Sequence, residues 1–175
     1  RQELTGELAD GWIGTSFVPE HADVFMAPLQ RGLEKSSRSL SDLDIQVGGS
    51  LEISEDVERL IEARRPAMAF TLGGMGSAQT NFYNDAFSRA GYEAEAKKVQ
   101  SLWVDGKKEE AIRAVPDEMV LKTNLIGTRE MVIERIRAYA AVGVTTLRVS
   151  TTGTNWKERT ESLAEATDLV HSISM

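Results

Sequence analysis

There is no cysteine among the 175 residues, so a disulfide framework, thiol catalysis and a Cys-ligated metal are excluded from this chain. Histidine is nearly as scarce. His21 and His171 stand far apart, neither has a carboxylate at metal-ligand spacing, and no metal is expected. No apolar run approaches the roughly 18 residues of a membrane-crossing helix, and Arg1 to Gly6 lack the basic-then-apolar pattern of a secretion signal. Positive charge is also in deficit. Twenty Lys and Arg stand against 27 Asp and Glu, a net charge of -7, which argues against a phosphate-tracking nucleic-acid binder. It leaves room for a small anion held by backbone amides at a helix start. These features suit a cytoplasmic protein that acts on a small molecule and has neither membrane nor nucleic acid as a partner.

What is present alternates between two hydrophobic periods, the mark of strands and helices in series. Residues 9–15 are short and glycine-punctuated and read as a strand end running into a loop. Pro19 and Glu20 open a helix with Phe25, Leu29 and Leu33 on one face. Ile45, Val47, Gly49, Leu51 and Ile53 alternate as a strand. Ser54 is placed to cap the next helix, whose apolar face is Leu60 and Ile61, and Pro66 predicts a kink or break. A small apolar run, 67–72, ends at Gly73-Gly74-Met75-Gly76.

Further along, Ala96, Val99, Leu102 and Trp103 share a helical face, Asp105-Gly106 breaks it, and 107–115 resumes it until Pro116. A short strand is expected within 119–126. Thr128 then caps a helix carrying Val132, Ile136 and Ala140, which closes at Gly143. Residues 144–150 form the next strand. A last helix from Trp156 to His171 has Leu163, Ala166, Val170 and Ile173 as its expected buried stripe. Serial βα units favour a parallel sheet covered by helices, with a helical insertion at about 77–116 in one domain over 1–175. Periodicity alone leaves an open doubly wound sheet and part of a closed barrel equally open.

Three segments carry a resemblance. Leu4 to Ile13, with its Ala9-Asp10-Gly11-Trp12 strand terminus, resembles the fifth-strand signature of the luciferase-like monooxygenase superfamily. Gly73-Gly74-Met75-Gly76 followed by Asn81-Phe82-Tyr83-Asn84 resembles its coenzyme F420-dependent oxidoreductase branch, methylenetetrahydromethanopterin reductase-like. Val115 to Glu118, Leu125 to Thr128 and Gly143 to Leu147 are similar to the closing part of the same (β/α)8 TIM barrel. The resemblance spans essentially the whole chain in order. It implies the C-terminal part of the barrel, about strands five to eight, with the N-terminal half lying outside this sequence.

The family implies hydride transfer between a deazaflavin, coenzyme F420, and a small organic substrate, with the protein positioning both. FMN is the alternative cofactor, as in a luciferase-like monooxygenase. A non-catalytic half-barrel that binds or assembles is the alternative of another class. The catalytic groups are expected in the absent half, and the 175 residues alone are expected to be inactive. The strand-end loop Asp10, Gly11, Trp12, Ile13, Gly14 and Thr15 is the implied cofactor contact, at the end of a barrel strand where such sites lie. Gly74, Met75, Gly76 and Asn81 are candidates for a substrate-facing lid. A glycine-rich strand-to-helix turn and a plain turn are the bland readings of these two segments. Ser150 to Thr154 is read as a helix cap ahead of an anion site. A half-barrel leaves strand edges and an apolar wall uncovered, so a homo-oligomer or packing against the missing half is expected.

Overall fold

The computed structural model describes residues 2–77 and 79–173. Four strands form one parallel sheet: β1 (Gly11–Ile13), β2 (Asp44–Ile53), β3 (Leu125–Gly127) and β4 (Thr146–Thr151). The long strand β2 is its axis. Ile45, Val47 and Leu51 are buried on one face of it, as the alternation requires.

Backbone parity shows which strand lies on which edge. Gly14 N–H donates to Gln46 O and Ser54 N–H to Gly127 O, both at even positions of β2, whereas Thr145 N–H donates to Ile45 O. β1 and β3 therefore follow one another along one edge, pairing residues 44–46 and 51–53, and β4 pairs 46–51 along the other. In a barrel wound in chain order β3 would separate β2 from β4. Here β4 meets β2 directly, which gives its central run a hydrogen-bonded partner that three-residue β3 is too short to supply.

Helices cover this axis. α1 (Gln2–Leu8) crosses α2 (Asp23–Lys35) at a pair of glycines. A Cβ on Gly6 would sit 2.1 Å from Leu29 O and one on Gly32 1.8 Å from Glu3 O, so only glycine permits this approach. Pro19 opens a short 3-10 turn, Pro19–His21, rather than α2 itself. α3 (Val57–Gly73) runs through Pro66, so of the kink or break expected there the break does not occur. Leu60, Ile61, Ala69 and Leu72 share its buried stripe, and that packing outweighs the lost proline hydrogen bond. Residues 67–72 are thus helical. The cap of α3 is Asp56, which accepts from Arg59 N–H, while Ser54 Oγ accepts from Asp56 N–H.

Five helical segments follow: α4 (Phe82–Phe87), a π-helical turn (Ser88–Tyr92), α5 (Glu93–Val104), α6 (Lys108–Arg113) and α7 (Asp117–Lys122). They run from 82 to 122, past the 116 expected as the end of the helical stretch, and pack on α3 around Phe87, Val99, Val115 and Met119. Of the strand expected within 119–126, only the end is strand; its beginning belongs to α7. α8 (Arg129–Ala141) is capped by Thr128, whose hydroxyl accepts from Met131 N–H. The last helix, α9 (Trp156–Ile173), buries Ala166 and Leu169, but Leu163 and Val170 of the expected stripe are exposed. A second core, around β2, joins α2, α8 and α9 through Leu29, Leu33, Leu125, Val132 and Leu169. Within it the buried rings of Phe17, Phe25 and Tyr139, with half-buried Trp12, meet edge-to-face, tilted or stacked.

Candidate functional site

β1 ends before β3 begins, so residues 47–50 of β2 have no strand partner on that edge. A cavity of about 310 Å³ opens there. Its floor is Ser50. Thr15 and Ser16, just past β1, form one wall, and Thr123 and Asn124, just ahead of β3, form another. The second half of α3 supplies Arg64, Met68 and Thr71, and Met75, Tyr83 and Phe87 complete the enclosure. The volume lies at the small end of the range for organic-ligand sites.

Several of its polar groups are spent on local structure. Thr71 Oγ1 donates to Ala67 O, and Thr123 Oγ1 to Met119 O, closing the last turns of their helices. Asn124 Nδ2 donates to Val120 O. Among the described residues, the hydroxyls of Thr15, Ser16, Ser50 and Tyr83 have no such bond, and they face the cavity as donors and acceptors. Ser16 has φ 54°, one of two non-glycine residues at positive φ among the described residues. Such strain gathers at ligand sites.

Arg64 is the cation of the cavity, and its side chain is only 12% exposed. One terminal nitrogen donates to Glu52 Oε2 at 2.7 Å and the other to Leu60 O at 3.2 Å. Glu52 also accepts from Arg59 at 3.0 Å. Burial works against ionisation of Glu52, but the two guanidinium donors outweigh it and hold its carboxyl below the usual glutamate range. Arg64 Nε is buried and, among the described residues, has no hydrogen-bond partner.

The segments singled out from the sequence separate in space. Thr15 and Met75 come together on the cavity. Asp10, Gly11, Trp12 and Ile13 lie instead on a separate shallow cleft that runs the length of β1 beside Asp44 and Gln46. Gly14 sits between the two places, with its α-carbon against the Trp12 ring, which an added Cβ would strike at 2.5 Å. Gly74 caps the end of α3, where Phe70 and Trp103 close over it. Gly76 turns the chain at φ 92°. Asn81 is buried at 3% exposure. Its amide donates to Thr71 O and Leu72 O, and its oxygen caps α4 by accepting from Tyr83 and Asn84 N–H.

Sequence reasoning passed over Arg64, which had the signal of a cation on the inner half of an amphipathic helix beside an apolar run. It passed over Glu52 as well, hidden at an outward position of the strand pattern. The loop after β4 holds no open anion cradle, because Glu158 fills it. Thr154 donates to that carboxylate from both N–H and hydroxyl, lowering its pKa, and Asn155 caps α9 by accepting from Glu158 N–H. His21 packs edge-on to Tyr92, and no cluster suited to a metal occurs among the described residues. No helix of the described residues is long and apolar enough to cross a membrane.

Comparison with known proteins agrees with this architecture. A family model described as luciferase-like monooxygenase matches residues 2–146. A Mycobacterium tuberculosis protein named as a coenzyme F420-dependent oxidoreductase is 30% identical over 84% of this chain and 43% of its own length. The 5,10-methylenetetrahydromethanopterin reductase of Methanopyrus kandleri is 26% identical over 82% of this chain and 39% of its own. In three dimensions the chain resembles the coenzyme F420-dependent tetrahydromethanopterin reductase of the same organism, with TM-score 0.68 at 23% identity over 97% of this chain and 45% of that one. It also resembles an F420-dependent secondary alcohol dehydrogenase bound to an F420–acetone adduct, with TM-score 0.62 at 12% identity. The chain thus spans somewhat under half the length of these relatives. With a parallel α/β sheet of this form and a family model matched over most of its length, the chain belongs to the luciferase-like monooxygenase family.

Proposed function

We propose that the protein works as a coenzyme F420-dependent oxidoreductase, exchanging a hydride between the deazaflavin and a small organic substrate. One observation carries the placement of the site: Thr15, just past β1, and Met75, after α3, wall the same cavity although they are far apart in the chain. The named relatives supply the chemistry, since those quoted are F420-dependent proteins or methylenetetrahydromethanopterin reductases. In this reading the four strands form one side of a barrel. Its other strands, and the catalytic acid or base, come from outside these 175 residues. The exposed apolar residues Ile13, Trp156, Leu163 and Val170 are then surfaces that such a segment, or a second copy, would cover.

The residues present fit part of a deazaflavin. Thr15 offers a hydroxyl at the end of β1, and Tyr83 offers an aromatic ring, for the edge of the deazaflavin. When bound, the deazaflavin supplies a ring carbon that accepts or donates the hydride. The chain's own part is to hold and orient ligands and to keep water from the reacting face.

A fluorescence titration of the protein with coenzyme F420 and, separately, with FMN tests this reading. Saturable binding of F420 at least about tenfold tighter than of FMN, a gap of about 1.4 kcal/mol, is expected. Binding of FMN alone would instead support the monooxygenase reading. Binding of neither, by a protein that carries the remaining strands, would support the non-catalytic one.

A further inference from the structure

We infer that the cavity takes a small organic acid as substrate, with Arg64 as the residue that recognises its carboxylate. This names the substrate class for the site assigned above and rests on that assignment for its catalytic meaning.

Three features point the same way. First, the size of the cavity, about 310 Å³, suits a compact substrate better than a whole coenzyme. Second, its wall divides by chemistry: Met68, Met75 and Phe87 form the apolar part, and Arg64 with the hydroxyls of Ser16 and Ser50 forms the polar part. An amphipathic ligand with a short apolar body and one oxygen-rich end matches that division. Third, the guanidinium is under-used. It carries five N–H donors, yet the described residues engage it only through Glu52 and Leu60 O, and its buried Nε has no partner. Nε is out of a ligand's reach, but each terminal nitrogen keeps a second N–H beyond its bond to Leu60 O or Glu52, and a carboxylate oxygen entering the cavity would meet such a donor in a charge-assisted bond.

The placement of charge sets the sign of the preferred ligand. Glu52 lies between Arg59 and Arg64 and accepts from both, and Arg59 also meets Asp56 at 4.0 Å, so the four groups balance as a set. Arg64 is the one of them that lines the cavity, so a ligand there meets its positive charge first. Glu158, Glu161 and Glu165 gather with Glu52 on a separate cleft, so the Glu52–Arg64 pair stands between the acidic cleft and the cavity. A carboxylate gains from Arg64 while a neutral alcohol of the same length gains little.

The test uses the 175-residue chain, with hexanoate as probe and hexan-1-ol as its neutral counterpart. Arginine Nε–H and methionine methyl resonances are followed by NMR. Hexanoate should shift the Arg64 Nε–H signal and the Met68 and Met75 methyls saturably, and should bind at least about tenfold more tightly than hexan-1-ol. Arg64→Gln should remove that preference, and Arg64→Lys should restore part of it by returning the charge without the planar fork. Amide spectra report whether each variant is folded. Should Arg64→Gln unfold, the acid-to-alcohol ratio in the unaltered chain and in Arg64→Lys decides. Equal binding of acid and alcohol, or full hexanoate affinity in a folded Arg64→Gln, overturns the inference. No deazaflavin enters this titration. Acid selectivity without F420 binding would therefore count only against the oxidoreductase reading, and F420 binding without acid selectivity only against Arg64.

Discussion

The two edges of β2 are finished differently. On the β1–β3 side, Leu125, Ile126 and Gly127 are all buried, and the helices of 57–122 pack behind them around Leu72, Val99 and Met119. On the β4 side, the strand alternates between exposed and half-buried residues, and α9 leaves Leu163 50% and Trp156 79% exposed. Behind β3 the chain makes its own core from local sequence, although Ile13 of β1 and Phe70, Phe82 and Val104 of those helices remain exposed. The second edge shows an apolar surface that the described residues leave open. The cavity lies on the finished edge. Its walls are therefore held by packing within the chain, the condition for a site with defined geometry.

The comparison is broken most directly by stability. Leu72→Ala, at a fully buried position of α3, should cost about 2–5 kcal/mol, whereas Leu163→Ala on α9 should cost less than about 1 kcal/mol. Urea unfolding of both variants measures the gap, and similar costs would erase the distinction between the edges. Asn81→Ala comes next. It strips the cap of α4 and the clamp onto Thr71 O and Leu72 O, and about 1–3 kcal/mol of destabilisation is expected in the same assay.

Glu52→Gln is expected to cost about 1 kcal/mol, because its bridge to Arg64 is only partly screened from water. The sign with pH follows from the depressed carboxyl. Its stabilisation is complete above the ordinary glutamate pKa and is lost as pH falls through the lower folded value. In Glu52→Gln the unfolding midpoint should therefore fall less steeply on acidification than in the parent. Trp156→Ser should change stability by no more than about 0.5 kcal/mol, since the ring is mostly in water. Its effect should appear as reduced self-association in sedimentation velocity.

Much of the fold was legible where one local signal sufficed. The alternation of Ile45, Val47 and Leu51 marks β2, and Thr128 with Gly143 brackets α8. Two misreadings are local, the Pro19 start of α2 and the Ser54 cap of α3, and the others involve partners distant in sequence. Pro66 lies inside α3 because Leu60, Ala69 and Leu72 pack on α5 and α7, which a local proline rule does not register. The stripe of α9 follows the helical period, but it is buried only at Ala166 and Leu169, with Ile173 half-buried against the core, while Leu163 and Val170 keep much of their surface exposed. The same reason divides the site. Thr15 and Met75 were readable as loop residues at strand and helix ends. Arg64 was not, because its importance comes from Glu52 and from the gap between β1 and β3, and neither is visible in the residues around it.

Hydrogen exchange with and without coenzyme F420, followed by mass spectrometry, tests the central claim most directly. The account predicts that bound coenzyme slows exchange at residues 14–16 and 74–77, which flank the cavity, and leaves residues 156–170 of α9 unchanged. Protection confined to α9 and the loop before it, with none at 14–16, would contradict it.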